Sequence, residues 1–380
     1  MLMSSGAMAL NHPVLAIREP NEGEVGPFEY APKILEVIDS TSDEVIYSAK
    51  TNHDFDWPYI IGSNEALAFV HWDFFDRVGR DYYGFHFSDN SLSHFAKTRG
   101  TFPNCVVKYQ DHLFVVMDEL WNEVAGKSAS AVLVYQTNSD SAVLEETVHF
   151  STNEVLRTWD NDKVWFNPTN GKLYLGLGPM LFPDFTRIGV FDCKTCQVEQ
   201  VKDISGHVVS VSALCASDDK LYVASIRKRP RTMSRDDNNF DDEVSVFSLP
   251  DITFLGKIKI GSIIRSMTYS KDDGKIYLQY DNWGKKRKFP LTACSEIKVL
   301  NAKTDQLIKT IILPQGSIGQ MSYVGNHKLY FIVKYSDKKT LNHGIYVIDT
   351  KTDTITTRLT GSYRAISKDF GACFGLQQNN

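Results

Sequence analysis

Along "EIKVLNAKTDQLIKTIIL" (296–313) apolar and polar positions alternate, the alternation breaks over Ala302–Gln306, and then it resumes. A period of two is that of a strand with one buried face, and a short polar break between two such runs is a turn. The stretch therefore predicts an antiparallel hairpin. "GIYVIDTKTDTITTRLTG" (344–361) repeats the pattern, and so do "KILEVIDSTSDEVIYSA", "YGFHFSDNSLSHFA", "AVLVYQTNSDSAVLEETVHF", "RIGVFDCKTCQVEQV" and "EVSVFSLPDITFLGKIKI". The residues entering the turns, Asp39, Ser88, Gln136, Asp192, Ser248, Asn301 and Asp349, recur at steps of 48 to 56. A period near fifty marks a repeat array.

A second hairpin recurs between these. "DKVWFNPTNGKLYLGLG", "VVSVSALCASDDKLYVASI", "IIRSMTYSKDDGKIYLQY" and "IGQMSYVGNHKLYFIV" each read as strand, tight polar turn, strand, with Gly and Asn where hairpins need positive φ. Each repeat thus holds four antiparallel strands rich in Val, Ile, Tyr and Phe, the content of a β-propeller blade. The ends are too short for a blade on either side but complete one when joined. The expected fold is all-β: a seven-bladed β-propeller in a single domain over 1–380, with one blade shared between the termini. Residues 1–30 are expected to form an N-terminal extension. The closing blade is placed at about 31–50 plus 361–376, with "YRAISKDFGACFGL" supplying its two inner strands.

"RIGVFDCKTCQVEQV…VVSVSALCASDDKLYVAS" and "GIYVIDTKTDTITTRLTG" resemble the repeat of the seven-bladed YVTN/surface-layer propellers, which are similar in turn to lactonase-type propellers. The resemblance is closest from Arg187 to Gly361. It implies the fold and says little about activity, because propellers host many functions. The full Tyr-Val-Thr-Asn signature is reduced to "LYVAS" and "IYLQY".

If strands run a-b-c-d from the axis outward, the b–c and d–a connections share one end of the ring. The b–c segments are long, which marks that end as the expected binding surface. They carry Trp72, Trp121 and Trp283 together with the basic runs "RKRPR" (Arg229 among them) and "KKRK" (Lys286 among them), an anchor set for a protein or peptide partner. The d–a connections bring Trp57, Arg99, Arg157, Trp159, Arg265 and Arg364 toward the axial mouth. Guanidinium forks suit carboxylate or phosphate, so a small anionic ligand is expected there. The alternative is a lactonase-like hydrolase acting on a small anionic ester or lactone, as the resemblance implies, with His53 or His207 as general base.

Composition narrows the classes. Net charge is −5 over 380 residues, so nucleic acid is not an expected partner. No apolar run approaches the ~18 residues of a membrane helix. No Lys or Arg precedes Arg18, and the one N-x-S/T triplet is spoiled by Pro168; a cytoplasmic monomer is the expectation. Cys193-x-x-Cys196 falls in a strand–strand turn, without the helix N-terminus that lowers a redox thiol's pKa and without a second ligand pair for zinc. It reads as two free thiols. No phosphate-binding glycine loop, nucleophile elbow or metal-spaced histidine pair occurs, and neither cofactor nor metal is expected.

Overall fold

The computed structural model describes residues 12–20, 33–51, 55–62, 65–70, 80–98, 103–122, 127–137, 142–150, 163–178, 186–209, 211–225, 243–261, 263–281, 296–313, 317–334 and 343–367. Every described strand belongs to one of seven four-stranded antiparallel sheets. Sheet 1 runs Tyr363–Ile366, Val14–Arg18, Lys33–Asp39, Glu44–Thr51 from the axis outward. Sheet 2 is Phe55–Gly62, Glu65–Val70, Arg80–His86, Ser91–Thr98, and sheet 3 is Pro103–Tyr109, His112–Asn122, Lys127–Thr137, Ala142–His149. Sheet 4 is Val164–Asn167, Lys172–Leu177, Arg187–Asp192, Gln197–Asp203, and sheet 5 is Val211–Ala216, Lys220–Ser225, Glu243–Ser248, Thr253–Lys259. Sheet 6 is Ile263–Ser270, Lys275–Asp281, Glu296–Asn301, Gln306–Ile312, and sheet 7 is Ser317–Tyr323, Lys328–Lys334, Gly344–Asp349, Thr354–Thr360. The innermost strands touch one another in chain order, and Tyr363–Ile366 touches both Ser317–Tyr323 and Phe55–Gly62. The protein is a β-propeller with four antiparallel strands to a blade.

Burial follows strand position. Middle strands such as Lys220–Ser225 and Glu243–Ser248 are buried on both faces, while outer strands such as Thr253–Lys259 alternate exposed and half-buried residues. In all seven sheets the third and fourth strands pair with a register break, as between Val246 and Phe247 or Val347 and Ile348. Bulges of this kind twist the exposed edge and discourage pairing with another chain.

The closing sheet differs from expectation in one strand. Lys33–Asp39 and Glu44–Thr51 are its outer pair as expected, but among the described residues the C-terminal stretch supplies one strand, Tyr363–Ile366. The second strand is Val14–Arg18, paired to Ile34–Ile38 on one side and to Tyr363–Ile366 on the other. Residues 1–30 are therefore not simply an extension. "VLAIR" is buried at all five positions, and such a continuous run lacks the alternation by which the other strands were recognised. Ser367 ties the seam by accepting from the Leu15 N–H through its hydroxyl, at 3.0 Å, and donating its own N–H to the Leu15 carbonyl at 2.7 Å. Arg18 pairs with buried Glu36 at 2.7 Å, and the Tyr363 hydroxyl donates to the other Glu36 oxygen at 2.7 Å.

A repeated polar latch joins neighbouring sheets. Lys220 and Tyr222 of sheet 5 both reach Asp305 in the outer turn of sheet 6, at 2.7 Å each. Lys275 and Tyr277 of sheet 6 reach Asp353 of sheet 7 at 2.9 and 2.6 Å. Lys328 and Tyr330 of sheet 7 reach Asp43 of sheet 1 in the same way. The three aspartates share a left-handed conformation, with φ of 59°, 53° and 59° for Asp305, Asp353 and Asp43, which Asp tolerates better than most residues. Burial, with the neighbouring carboxylate, pushes the three phenols well above the usual range, so they remain donors.

Candidate functional site

The connections are sorted by end. The first-to-second strand connections of sheets 3 to 7 span 110–111, 168–171, 217–219, 271–274 and 324–327; the third-to-fourth connections span 40–43, 87–90, 138–141, 193–196, 249–252, 302–305 and 350–353. All are turn-length. The second-to-third connections leave the opposite end and span 19–32, 71–79, 178–186, 226–242, 282–295 and 335–343. Sheet 3 is the exception, with 123–126. Trp121 is consequently not in a loop: it lies in the strand His112–Asn122, opposite Ser128. The segment 19–32 was missed as a long connection because the strand before it was missed.

The innermost strands carry a second shared irregularity at the long-connection end. Pairing with the second strand breaks at Asn104 in sheet 3, Ser212 in sheet 5, Arg265 in sheet 6 and Arg364 in sheet 1. Sheet 7 breaks over Gly319 and Gln320, and sheet 2 over Trp57 and Pro58. A bulge leaves one residue outside the ladder and re-aims it, which is why bulges gather next to sites. The four single-residue bulges hold two arginines, an asparagine and a serine, with no carboxylate among them. Asn104 and Ser212 are buried, at 4% and 5% exposure. The Ser212 hydroxyl has no hydrogen-bond partner among the described residues.

Arg265 and Arg364 were expected in connections; both lie in innermost strands, and their side chains, like that of Trp57, are outside the described set. His53, Trp72, Arg99, Arg157, Trp159, Arg229, Trp283 and Lys286 lie outside the described residues. His207 is not on the axial ring. Its imidazole stacks on Phe254 of the outermost strand of sheet 5, centroids 3.8 Å apart and planes 7° from parallel, and its carbonyl accepts from Ser245. That placement removes the one described candidate base. Asn104 and Ser212 went unrecognised in the sequence, although a signal exists. Each bulge reads bulky–polar–small: Pro103-Asn104-Cys105, Val211-Ser212-Ala213, Ile264-Arg265-Ser266, Tyr363-Arg364-Ala365.

The opposite end is drawn together by the inner turns. Thr169 of sheet 4 donates to Asp218 of sheet 5 at 3.0 Å, and Lys271 of sheet 6 reaches Thr169 across that turn at 3.3 Å. Asp272 accepts from Tyr323 and from the His327 N–H of sheet 7. Cys193 and Cys196 occupy the outer turn of sheet 4 as free thiols, both with pKa raised, chiefly by burial, and so poorly suited to redox exchange. Among the described residues no group of three or more His, Cys, Asp or Glu could hold a metal ion, and no helix is long and apolar enough to cross a membrane.

Comparison with known proteins adds the fold alone. No family model and no curated protein matches the chain. Among solved structures, dihydro-heme d1 dehydrogenase NirN in complex with DHE superposes with a TM-score of 0.57 at 11% identity, covering 96% of this chain and 76% of that one. A likeness shared with 1120 solved chains identifies an architecture and not an activity.

Proposed function

We propose that the chain is a seven-bladed propeller of the YVTN/surface-layer kind that works as a recognition module, binding a protein or peptide through its long-connection end. Seven sheets whose innermost strands touch in sequence support the count. The observation that carries the functional reading is the sorting of connections: turns at one end, long segments at the other in six sheets. A rigid disc gains no stability from such segments over turns, while their closure costs entropy that grows only slowly with length, so they suit variable contact surface. Trp72, Trp121, Trp283, Arg229 and Lys286 are the proposed anchors.

Affinity capture from lysate tests this with three proteins: wild type, a Trp72→Ala/Trp121→Ala/Trp283→Ala variant, and a Lys303→Ala/Lys351→Ala control on the exposed outer turns of the opposite end. The reading expects a partner recovered by wild type and control and lost from the tryptophan variant. Equal recovery by all three, or loss only from the control, would falsify it.

A further inference from the structure

We propose that the rim of the ring is a self-association surface: the acidic outer strand of sheet 3 docks against the basic outer strands of sheets 5 and 6 in a second copy of this chain. The proposal does not rest on the partner-binding reading, because it concerns the outer strands and not the long connections.

Two observations on the described residues converge. First, charge is sorted around the rim. The outer strands of sheets 3 and 4 carry Glu145, Glu146, Glu199 and Asp203 against a single lysine, Lys202. Those of sheets 5, 6 and 7 carry Lys257, Lys259, Lys309 and Arg358 and no acid. The outer strand of sheet 1 holds one charge of each sign, Glu44 and Lys50, and that of sheet 2 holds Lys97. Second, exposed aliphatic side chains accompany the sorted charge. Among the described residues every exposed large hydrophobic lies on an outer strand. Val143 and Leu144, at 60% and 48% exposure, directly precede the acidic pair of sheet 3. Leu255 stands two residues from Lys257, and exposed Leu307, Ile308 and Ile312 lie on either side of Lys309. The remaining pair, Val45 and Ile46, sits on sheet 1, where the charges balance. Single exposed aliphatics are ordinary; groups of them bordered by charge of one sign mark a contact surface.

Charge complementarity chooses the occupant. An acidic aliphatic strand is matched by a basic aliphatic one, and the molecule carries both on one rim. A net charge of −5 over 380 residues opposes the approach of two copies only weakly. Because two different patches meet, the contact is heterologous, and each copy can pass it on to a third. The register breaks of the outer strands discourage backbone pairing, so side chains make the contact and no sheet is extended. One or two strands per copy bury less than the ~1,200 Å² of a standard interface, so the association is weak and sensitive to salt.

Sedimentation velocity of the full chain, from micromolar to submillimolar concentration at low ionic strength, tests the surface. Glu145 pairs with His112 and Lys257 with Glu243 within their own sheets, so the variants leave both pairs in place. One variant carries Leu144→Ser and Glu146→Lys; the other carries Leu255→Ser and Lys259→Glu. All four positions are exposed, so thermal midpoints should stay at the wild-type value. Wild type should associate as concentration rises, and less so in about 1 M salt, where charges are screened beyond ~3 Å. Each variant alone should associate about tenfold more weakly or worse. An equimolar mixture of the two should recover a dimer of wild-type affinity, because the first keeps the basic patch and the second the acidic one. Wild type that stays monomeric throughout overturns the proposal. So does association that either variant leaves unchanged, or a mixture that stays as weak as its components, the result expected if the rim serves a like-to-like contact or a different partner.

Discussion

The interface between sheets 7 and 1 and the interface between sheets 3 and 4 occupy equivalent places in the ring and are built from opposite chemistry. At the first, Asp43 accepts from Lys328, Tyr330 and Thr357 while only 7% exposed at its side chain. At the second, the positions of Lys and Tyr hold His112 and Phe114, and the left-handed turn position holds Cys196 with φ of 56°. Phe114 packs edge-on against Phe191 at 5.6 Å, and His112 turns to Glu145 of its own sheet at 3.3 Å. Polar and apolar versions both work because each is complete. A tyrosine facing a cysteine, or a phenylalanine facing an aspartate, would leave a buried group without a partner, and that asymmetry makes the residues change as a set. The interface of sheets 4 and 5 shows the same logic midway: Ile252 takes the turn position, Lys172 pairs with Glu199 of its own sheet, and the Tyr174 hydroxyl accepts from Asn170.

The largest expected effect breaks the polar version. Asp43→Ala should destabilise by about 3–5 kcal/mol, because it takes the carboxylate out of a part-buried ion pair at the seam that closes the ring, removes the acceptor of the buried Tyr330 hydroxyl and leaves the Lys328 ammonium with the Thr41 carbonyl. Cys196→Ala at the apolar interface should cost only about 1 kcal/mol. Urea midpoints at unchanged m-value compare the two, and an Asp43→Ala midpoint no lower than that of Cys196→Ala would show that the latch does not hold the seam. A transplant gives a smaller effect. Phe114→Tyr alone should cost about 1–3 kcal/mol as an unsatisfied buried hydroxyl. Adding Cys196→Asp should recover part of it, with a coupling energy of about 1–2 kcal/mol in a double-mutant cycle. Zero coupling would mean that the two interfaces are not variants of one design.

These contrasts also mark what the sequence could reveal. The hairpins with regular alternation, from "RIGVFDCKTCQVEQV" onward, were legible because one face of each outer strand is wet and the other packed. Val14–Arg18 was not, since its environment is apolar on both faces and the alternation vanishes. Trp121 was misplaced because Asp118, Glu119 and Asn122 look like a loop, whereas the strand continues through them. The position of Cys193 and Cys196 in a tight turn was readable, because the flanking alternation fixes both strand ends. The axial residues were only half legible. Arginines announce themselves by charge, but Asn104 and Ser212 matter through a register break, and register is a relation between two strands that neither strand states alone.

The smallest effect is a pH dependence, and it sharpens the latched side. Burial pushes the Asp273 carboxyl up, but hydrogen bonds from Thr350, His327 and Ser270 outweigh it, and its pKa lies below the usual value. Asp203, on an exposed edge, is also lowered, by the hydroxyl and N–H of Ser205. A carboxyl depressed in the folded state contributes stability that is complete above the unfolded pKa of about 4 and is lost as pH falls through the folded value. Urea midpoints should therefore hold steady from pH 7 to about pH 5 and decline below about pH 4. Asp273→Asn should make that decline shallower by removing one proton-binding difference, while Asp203→Asn should leave it nearly unchanged, because solvent screens an exposed pair. An Asp273→Asn protein with the wild-type acid slope would show that the Thr350–His327–Ser270 cluster does not discriminate between the ionised and neutral acid, and that the acid sensitivity of the fold arises elsewhere than at this join between sheets 6 and 7.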